Sequence, residues 1–301
     1  MNKRVEEILK MEMPEQKSKE WFEMRKNRIT SSVAACCLPR IKEIVDPWLN
    51  LYYTDKYIEY DIKETCNKYK SFYDFFSEKT ATERKFFGNL YTAWGQKYED
   101  VVIKYYEKKQ GKRVHEIGLL PIEGYDFLAA SPDGVCDDGT VIEIKCPKTR
   151  QIDGIPTLDY WVQVQFHLQA TKLKTCHFIE SEIIEYTNIS SWENDFEENV
   201  SGALIEIQKI PNDFVNKYVY FDCVSVSDYK QNIIDYLKQH ENDEEFNIIP
   251  CFYKIKKYSM IAIERDDVWF KNALYWLKKA HDKIKDYREN PKHINRELDI
   301  F

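Results

Sequence analysis

The stretch that decides the fold is SPDGVCDDGTVIEIKCP, residues 131–147. It predicts two short strands joined at Asp138 and Gly139, because an Asp-Gly pair between alternating apolar residues favours a tight hairpin turn. Side chains alternate along a strand, so Glu143 and Lys145 share one face while the apolar residues between them face the other way. The hairpin therefore carries a carboxylate and an amine side by side.

A second carboxylate belongs to the same hairpin. Asp133 lies at a Pro-Asp-Gly bend, ten residues before Glu143, and the hairpin turn would bring the two together across the ladder. Taken alone, the bend also fits an ordinary turn, and Glu-x-Lys also fits a solvated strand face. Two close carboxylates need a neutralising cation, and oxygen ligands suit Mg²⁺ or Mn²⁺. With Lys145 to orient a water molecule, this composition predicts a metal-dependent phosphodiester hydrolysis site.

The overall composition indicates a globular protein with a large core. Of 301 residues, 43% are hydrophobic and 15% are aromatic, which excludes wholesale disorder. The net charge of -7 excludes a uniformly basic surface, but an acidic protein can still carry a locally basic groove for nucleic acid. The eight cysteines lack metal-binding spacing and no secretory signal is recognisable. We therefore expect reduced thiols, no membrane segment and an intracellular, cytoplasmic location, or the host cytoplasm or nucleus for a viral protein.

The segments around the hairpin predict a mixed α/β order. Helical spacing of apolar residues predicts a long helix on each side of the hairpin, in residues 92–111 and 158–173. Other strands are expected at 118–122, 125–132, 175–187 and 252–266, and other helices at 21–26, from about 30, near 192–208, near 227–241 and over about 267–287.

Four motifs in chain order resemble the lambda-type exonuclease or YqaJ-like viral recombinase family, within the PD-(D/E)xK nucleases. They are WFEMRKNRITSS (21–32), AWGQKYED (93–100), the hairpin itself and WVQVQFHLQA (161–170). The run AIERD (262–266) before the last predicted helix is similar to the end of that fold. The resemblance covers most of residues 20–180 and 250–285. It implies a restriction-endonuclease-like core, with a central mixed sheet flanked by helices.

The resemblance assigns metal-binding and catalytic roles to the matching positions. Asp133 and Glu143 would bind metal, with help from the backbone carbonyl of Ile144. Lys145 would position the attacking water, and Glu99 would complete a second metal site. By its pattern alone, Glu99 could equally be a solvated helix glutamate. The implied cofactors are two Mg²⁺ or Mn²⁺ ions.

The helix after the hairpin supplies polar candidates. Gln163 matches the glutamine that lies near the active site in the family, and Gln165 and His167 remain alternatives. Gln163 and His167 are four residues apart and so share a helical face. A polar pair in an aromatic helix also fits hydrogen bonds in the core, and His167 alone does not indicate a metal ligand.

Arg25 and Ser32 are the positions to which the resemblance assigns a terminal 5'-phosphate. An arginine fork matches phosphate oxygens, and a serine at a helix start adds a hydroxyl beside free backbone N–H groups. Without the resemblance, a surface arginine and an N-cap serine are equally good interpretations. Trp21 is expected to pack in the core.

The activity implied by the resemblance is that of a metal-dependent DNA exonuclease. It would act 5'-to-3' on linear duplex ends, in viral or phage DNA recombination, repair or replication. The family also implies a homo-oligomer and a single-strand annealing protein as partner. Two alternatives within the nucleases stay open because the catalytic motif reads neither sugar nor ends: an endonuclease and an RNA-active nuclease. A third alternative, from a different class, is a non-catalytic nucleic-acid-binding protein on the same scaffold. An iron–sulfur exonuclease is disfavoured, because the closely spaced cysteine trio is missing.

We expect one nuclease domain over residues 1–301. Its core would comprise about 15–38, 88–185 and 250–288. The stretches of about 40–88 and 186–250 match no motif, so they are expected to be helical insertions.

Overall fold

The computed structural model describes residues 1–14, 18–39, 65–80, 89–210, 216–241 and 243–290. Within these residues the predicted mixed α/β class is confirmed. The helices are α1 (Lys3–Leu9), α2 (Lys19–Lys26), α3 (Ser31–Ala34), α4 (Phe72–Thr80), α5 (Leu90–Gln110), α6 (Leu158–Thr171), α7 (Ile189–Asn194), α8 (Val226–Gln239) and α9 (Asp267–Glu289), with a 3-10 turn at Ala35–Cys37. The strands are β1 (Ile29–Thr30), β2 (Val114–His115), β3 (Leu120–Ile122), β4 (Tyr125–Ala130), β5 (Gly134–Cys136), β6 (Thr140–Lys145), β7 (Thr175–Tyr186), β8 (Ser201–Lys209), β9 (Lys217–Tyr220) and β10 (Phe246–Glu264).

The main sheet is mixed. Its strand order is β2-β5-β6-β7-β10-β8-β9, and β6 and β7 are parallel while the other neighbours are antiparallel. A parallel pair needs a crossover connection, which here contains α6. A smaller sheet has the order β1-β4-β3, with β1 parallel to β4.

Helices cover both faces of the main sheet. On one face α6 and α9 pack in a core that includes Phe178 of β7. On the opposite face α5 packs against Ile142 and Ile144 of β6 and Ile179 of β7. The alternation of side chains along β6 and β7 thus feeds two separate cores, one on each side of the sheet.

The hairpin forms where the sequence predicts it. Gly139 adopts φ of 94°, which favours glycine, and its N–H donates to the Cys136 carbonyl at 2.9 Å. Gly134 pairs with Ile142 across the ladder. This register is what positions the carboxylates described below.

The long helix before the hairpin is also confirmed, and its ends have local causes. The Asn89 side chain accepts hydrogen bonds from the backbone N–H groups of Tyr91 and Thr92, at 3.0 and 2.9 Å. Gly111 ends the helix in the left-handed conformation, with φ of 62°. The predicted helix near 227–241 corresponds to α8, and the predicted last helix corresponds to α9.

The prediction of a helix near 192–208 is wrong. The helix α7 ends at Asn194, and residues 201–209 form the strand β8 between β10 and β9. Burial on both faces through Glu206 favours a central strand over the helix that the acidic composition indicated. The segment 186–250 therefore extends the main sheet by β8 and β9, and α8 covers part of β8.

Two further expectations have a limited outcome. Most of the first predicted insertion, about 40–88, lies outside the described residues, apart from 65–80 with α4. In the part of the chain that the structure describes, no helix is both long and apolar enough to cross a bilayer. The single-domain organisation stays a prediction.

Candidate active site

The hairpin brings Asp133 against the segment of β6 that carries Glu143. The Asp133 N–H donates to the Ile142 carbonyl at 3.1 Å, and the Ile144 N–H donates to Asp133 Oδ2 at 2.6 Å. The N–H and C=O of one strand residue point to the same side, so the Ile144 carbonyl also points toward Asp133. Two carboxylates and one backbone carbonyl therefore converge at the end of β5.

Glu143 is fully buried, so the polar face of β6 is not a solvated strand edge. Its Oε1 forms an ion pair with Lys145, and its Oε2 lies 2.8 Å from His167 Nε2 without the alignment of a hydrogen bond. Burial opposes ionisation of Glu143, but the charge of Lys145 and the neighbouring imidazole of His167 outweigh it and lower the pKa of Glu143 to about 2. Glu143 is therefore a carboxylate at neutral pH.

Lys145 is held as a cation at the mouth of the site. Its side chain is 21% exposed, and its Nζ lies 5.0 Å from the centre of the Tyr160 ring. Burial disfavours the ammonium, but the carboxylates of Glu143 and Asp133 outweigh it and raise the pKa of Lys145. The side chain can therefore donate hydrogen bonds to a water molecule or a phosphate, and it is not a general base in this state.

Asp133 is the carboxyl group of this site whose ionised form the surroundings oppose. Burial raises its pKa well above the usual range, and the carboxylates of Glu143 and Glu99 raise it further. Glu99 is half-buried on α5. Its charge contributes to the raised pKa of Asp133 across the end of the hairpin. A cation bound at this point would offset the repulsion between these carboxylates and favour the charged form of Asp133.

The donor set fits a hard divalent cation. Asp133 and Glu143 supply carboxylate oxygens, and Glu143 Oε2 is a buried acceptor without a hydrogen-bond partner among the described residues. Within the same residues, no three His, Cys, Asp or Glu side chains are gathered closely enough to hold an ion together. A site built from two side chains and the Ile144 carbonyl is compatible with both observations. The role of Glu99 in a second metal site stays a prediction.

The three polar candidates on α6 have different surroundings. Gln165 is fully buried and structural, because its amide donates to the Glu264 carbonyl at 2.9 Å and accepts from the Asp266 N–H at 2.7 Å. His167 is fully buried against Glu143, so it belongs to the site although its sequence pattern gave little reason to choose it. Gln163 is half-buried one turn before His167, and its catalytic role stays a prediction.

Arg25 and Ser32 meet, as a shared phosphate site requires. Arg25 Nη2 donates to Ser32 Oγ at 3.1 Å, and the guanidinium stacks over Trp21 with 4.2 Å to the ring centre. Trp21 is half-buried, so the expectation that it packs in the core is wrong. Lys79 of α4 donates to the Arg25 carbonyl at 2.6 Å and fixes this end of α2. The pairing with phosphate stays a prediction.

The small sheet places this pair close in the fold to the hairpin that carries Asp133. Thr30 of β1 pairs with Ala129 of β4 in parallel, so the chain enters α3 next to the chain that leads into Asp133. Ser131 directly follows β4 and precedes the Pro-Asp-Gly bend, and its buried Oγ has no hydrogen-bond partner among the described residues. The sequence motifs do not single out Ser131. Its position directly before the Pro-Asp-Gly bend was the available signal.

Comparison with known proteins agrees with this geometry. The model of the YqaJ-like viral recombinase domain matches residues 20–174. The crystal structure of an alkaline exonuclease, LHK-Exo from Laribacter hongkongensis, is similar with a TM-score of 0.53 and 17% identity, over 90% of this chain and 95% of the other. The structure of LHK-Exo in complex with dAMP gives a TM-score of 0.52 and 18% identity, over 90% and 95% of the two chains. At these identities the likeness shows the fold.

A curated relative adds the viral context of the family. An uncharacterized protein of Acanthamoeba polyphaga mimivirus is 29% identical over 229 residues, which are 70% of this chain and 36% of the relative. The chain thus spans about a third of the length of that protein. The matched family model covers more than half of the chain and includes the hairpin, the α5 and α6 candidates and the Arg25–Ser32 pair. This chain belongs to the YqaJ-like viral recombinase family.

Proposed function

We propose that the protein is a metal-dependent DNA exonuclease that removes nucleotides from the 5' end of linear duplex DNA. The observation that carries the proposal is the hairpin geometry, in which the Asp133 carboxylate accepts from the Ile144 N–H next to Glu143 and the Lys145 ammonium pairs with Glu143. The name of the alkaline exonuclease with this fold supports the same reaction class. The Arg25–Ser32 pair beside the hairpin supports recognition of an end.

The reaction is hydrolysis of the phosphodiester between the first and second nucleotides. Water adds to phosphorus, the bond to the 3'-oxygen breaks, and that oxygen leaves on the first nucleotide with a proton. Asp133, Glu143 and the Ile144 carbonyl would hold Mg²⁺ or Mn²⁺, which when bound polarises the phosphate and lowers the pKa of water. Lys145 donates a hydrogen bond that orients the water and offsets charge on the phosphate oxygens. Glu99 is the candidate ligand of the second ion. Gln163 is the candidate for contact with the reacting groups.

The phosphate stays with the shortened strand, so each cut creates a new 5'-phosphate. Arg25 and Ser32 would bind this group through two N–H donors and a hydroxyl. Ser131 would add a second hydroxyl from the hairpin side. Repeated binding of the new end at a fixed distance from the hairpin would make the products mononucleotides. The role in viral recombination, the homo-oligomer and the annealing partner remain expectations from the family.

The test uses linear duplexes labelled at the 5' or the 3' end, with a 5'-phosphate or a 5'-hydroxyl. Wild type is compared with Lys145→Ala and Asp133→Asn, in Mg²⁺, in Mn²⁺ and in EDTA, with folding checked by circular dichroism. We expect early release of the 5' label as a mononucleotide, only with metal and only in wild type. The 5'-phosphate should accelerate the reaction, and Arg25→Ala should remove that preference.

Several outcomes would contradict the proposal. Activity in EDTA, or full activity of Lys145→Ala, would show that the hairpin is not the site. Cleavage of covalently closed circular DNA as fast as linear DNA would indicate an endonuclease, since a closed circle has no 5' end. Equal rates on both kinds of 5' end would remove Arg25 and Ser32 from the proposed pocket.

A further inference from the structure

A loop after β6, residues 146–157, crosses from the hairpin to α6 and carries two cations. Lys148 Nζ lies 4.5 Å from the centre of the Trp94 ring on α5, and the Arg150 guanidinium lies 5.7 Å from the centre of the Tyr160 ring on α6. The loop is anchored just beyond Arg150, because Ile152 is 2% exposed and its carbonyl accepts from Lys257 Nζ. The position of Arg150 is therefore defined on both sides.

A buried carboxylate holds Arg150. Glu180 of β7 is the ladder partner of Lys145, so both side chains lie on one face of the sheet. Glu180 is 1% exposed, its Oε1 forms an ion pair with Arg150, and its Oε2 has no hydrogen-bond partner among the described residues. A carboxylate at this depth is costly unless a cation accompanies it. The pattern EIK at 143–145 gives no indication of Glu180.

Arg150 retains donors for another group. A guanidinium has five N–H donors, and the described bonds are those to Glu180 and, at 3.4 Å, to the Gln151 carbonyl. Its side chain is 22% exposed. The same Tyr160 ring contacts Lys145 Nζ at 5.0 Å, so two cations lie over one ring at the mouth of the site. Each cation is paired with a buried carboxylate and still has N–H donors to spare, and a phosphodiester has the charge and the oxygen geometry to accept from both.

We propose that Arg150 is a further catalytic residue, which binds a non-bridging oxygen of the scissile phosphodiester beside Lys145, and that Glu180 is its positioning residue. This inference rests on the proposed nuclease function. A fixed donor aimed at developing charge accelerates the chemical step more than it strengthens substrate binding. The contact should therefore act on kcat and leave KM for the DNA end nearly unchanged.

The test separates this role from mere neutralisation of Glu180. In the double variant Arg150→Met/Glu180→Met both charges are replaced by apolar side chains, so the fold keeps no unpaired buried charge. We expect a melting temperature close to that of wild type, a kcat about 10²-fold lower on 5'-phosphorylated duplex, and a KM within about threefold. If Arg150 only neutralises Glu180, the double variant would regain the wild-type kcat.

Two further variants keep the proposal testable if the double variant does not fold. Arg150→Lys keeps the charge that Glu180 needs but loses the fork, so we expect about a tenfold lower kcat with an unchanged melting temperature. Lys278→Met removes an exposed pair with Asp282 on α9 and should leave kcat unchanged. A wild-type kcat in Arg150→Lys, or a change in KM alone, would overturn the proposal. The comparison of wild type with Lys145→Ala, described above, tests the nuclease function separately. The loss of metal-dependent activity expected in that variant does not depend on Arg150.

Discussion

Lysines are paired with buried carboxylates on both faces of the main sheet. The Lys145 cluster, on the α6 face, comprises Lys145, Glu143 and His167 with Asp133 at its edge. The Lys97 cluster, on the α5 face, joins Lys97 to Glu185 of β7 at 2.8 Å and to Glu206 of β8. The two clusters have similar composition, but they differ in how completely their polar atoms are satisfied.

The Lys97 cluster is nearly saturated. Glu206 Oε1 accepts from Gln208 at 2.8 Å and from Asn216 at 2.5 Å, and its other oxygen pairs with Lys97. Glu185 Oε1 accepts from Lys97 and from the Tyr98 hydroxyl at 2.5 Å. Burial opposes the charge of Lys97, but its acidic partners outweigh it and raise the pKa of Lys97. The bonds of Lys97 and Tyr98 tie α5 to the sheet, as expected of a structural cluster.

The Lys145 cluster keeps unsatisfied atoms. Glu143 Oε2 and His167 Nε2 face each other at 2.8 Å outside hydrogen-bond alignment, and His167 Nδ1 and Ser131 Oγ are buried without a hydrogen-bond partner in the described part of the chain. Native proteins rarely leave such atoms unpaired except where a function uses them. The contrast teaches that a buried ion pair does not by itself distinguish the candidate site from the scaffold, and that the satisfaction of its polar atoms has to be compared as well.

The largest effect that would test this contrast is the loss of activity in Asp133→Asn. The amide can still accept from the Ile144 N–H but is a poor ligand for a hard cation. We expect a fall of about 10⁴-fold in the rate of nucleotide release, measured at saturating duplex and Mg²⁺. A loss below tenfold would place Asp133 in the scaffold.

The next effect is the loss of stability in Lys97→Met. Removal of the cation leaves Glu206 buried without its ion-pair partner, which should lower the free energy of unfolding by about 3 kcal/mol in urea denaturation. Adding Glu206→Gln to Lys97→Met should restore part of the lost free energy of unfolding, since the buried charge is then gone. The control Lys278→Met should change it by less than about 0.5 kcal/mol. Equal effects of the two lysines would break the contrast.

In EDTA, Asp133→Asn is expected to raise the free energy of unfolding. This effect is smaller than that of Lys97→Met and has the opposite sign. Folding raises the pKa of Asp133, so the folded state binds this proton more tightly, and wild-type stability falls as the pH rises above the unfolded value of about 4. The variant does not titrate and should be more stable at pH 8 by about 0.5–2 kcal/mol. The gap should close below about pH 4, as thermal melts from pH 4 to 8 would show. A gap that is constant with pH would mean that the carboxylate charge is not its cause.

The smallest effects compare two serines. Ser201 Oγ accepts from the Glu197 N–H at 3.0 Å, so Ser201→Ala should lower the free energy of unfolding by about 1 kcal/mol. Ser131 Oγ has no described partner, so Ser131→Ala should be neutral for stability but should weaken the preference for a 5'-phosphate. Differential scanning fluorimetry and competition between the two kinds of end would measure both. A stability loss in Ser131→Ala as large as that in Ser201→Ala would contradict the functional assignment of Ser131.

The order of elements was largely predictable from periodicity. The long helices α5, α6 and α9 and the hairpin have strong local signals, since caps, turn residues and apolar spacing all agree. The segment 201–209 was mispredicted because its identity as a strand depends on burial between β10 and β9. A neighbour that lies far along the chain is not encoded in local composition.

The candidate site divides in the same way. Strand alternation and the hairpin turn determine by themselves that Glu143 and Lys145 share a face and that Asp133 approaches them, because these residues are connected by a few rigid bonds. The sequence also determined the family, through four motifs in order. Only the tertiary structure decided that His167 contacts Glu143, that Glu180 holds Arg150 and that Lys97 reaches Glu185 and Glu206. Those contacts depend on which faces of separate helices and strands pack together, and that is set by burial of the whole core rather than by any local pattern.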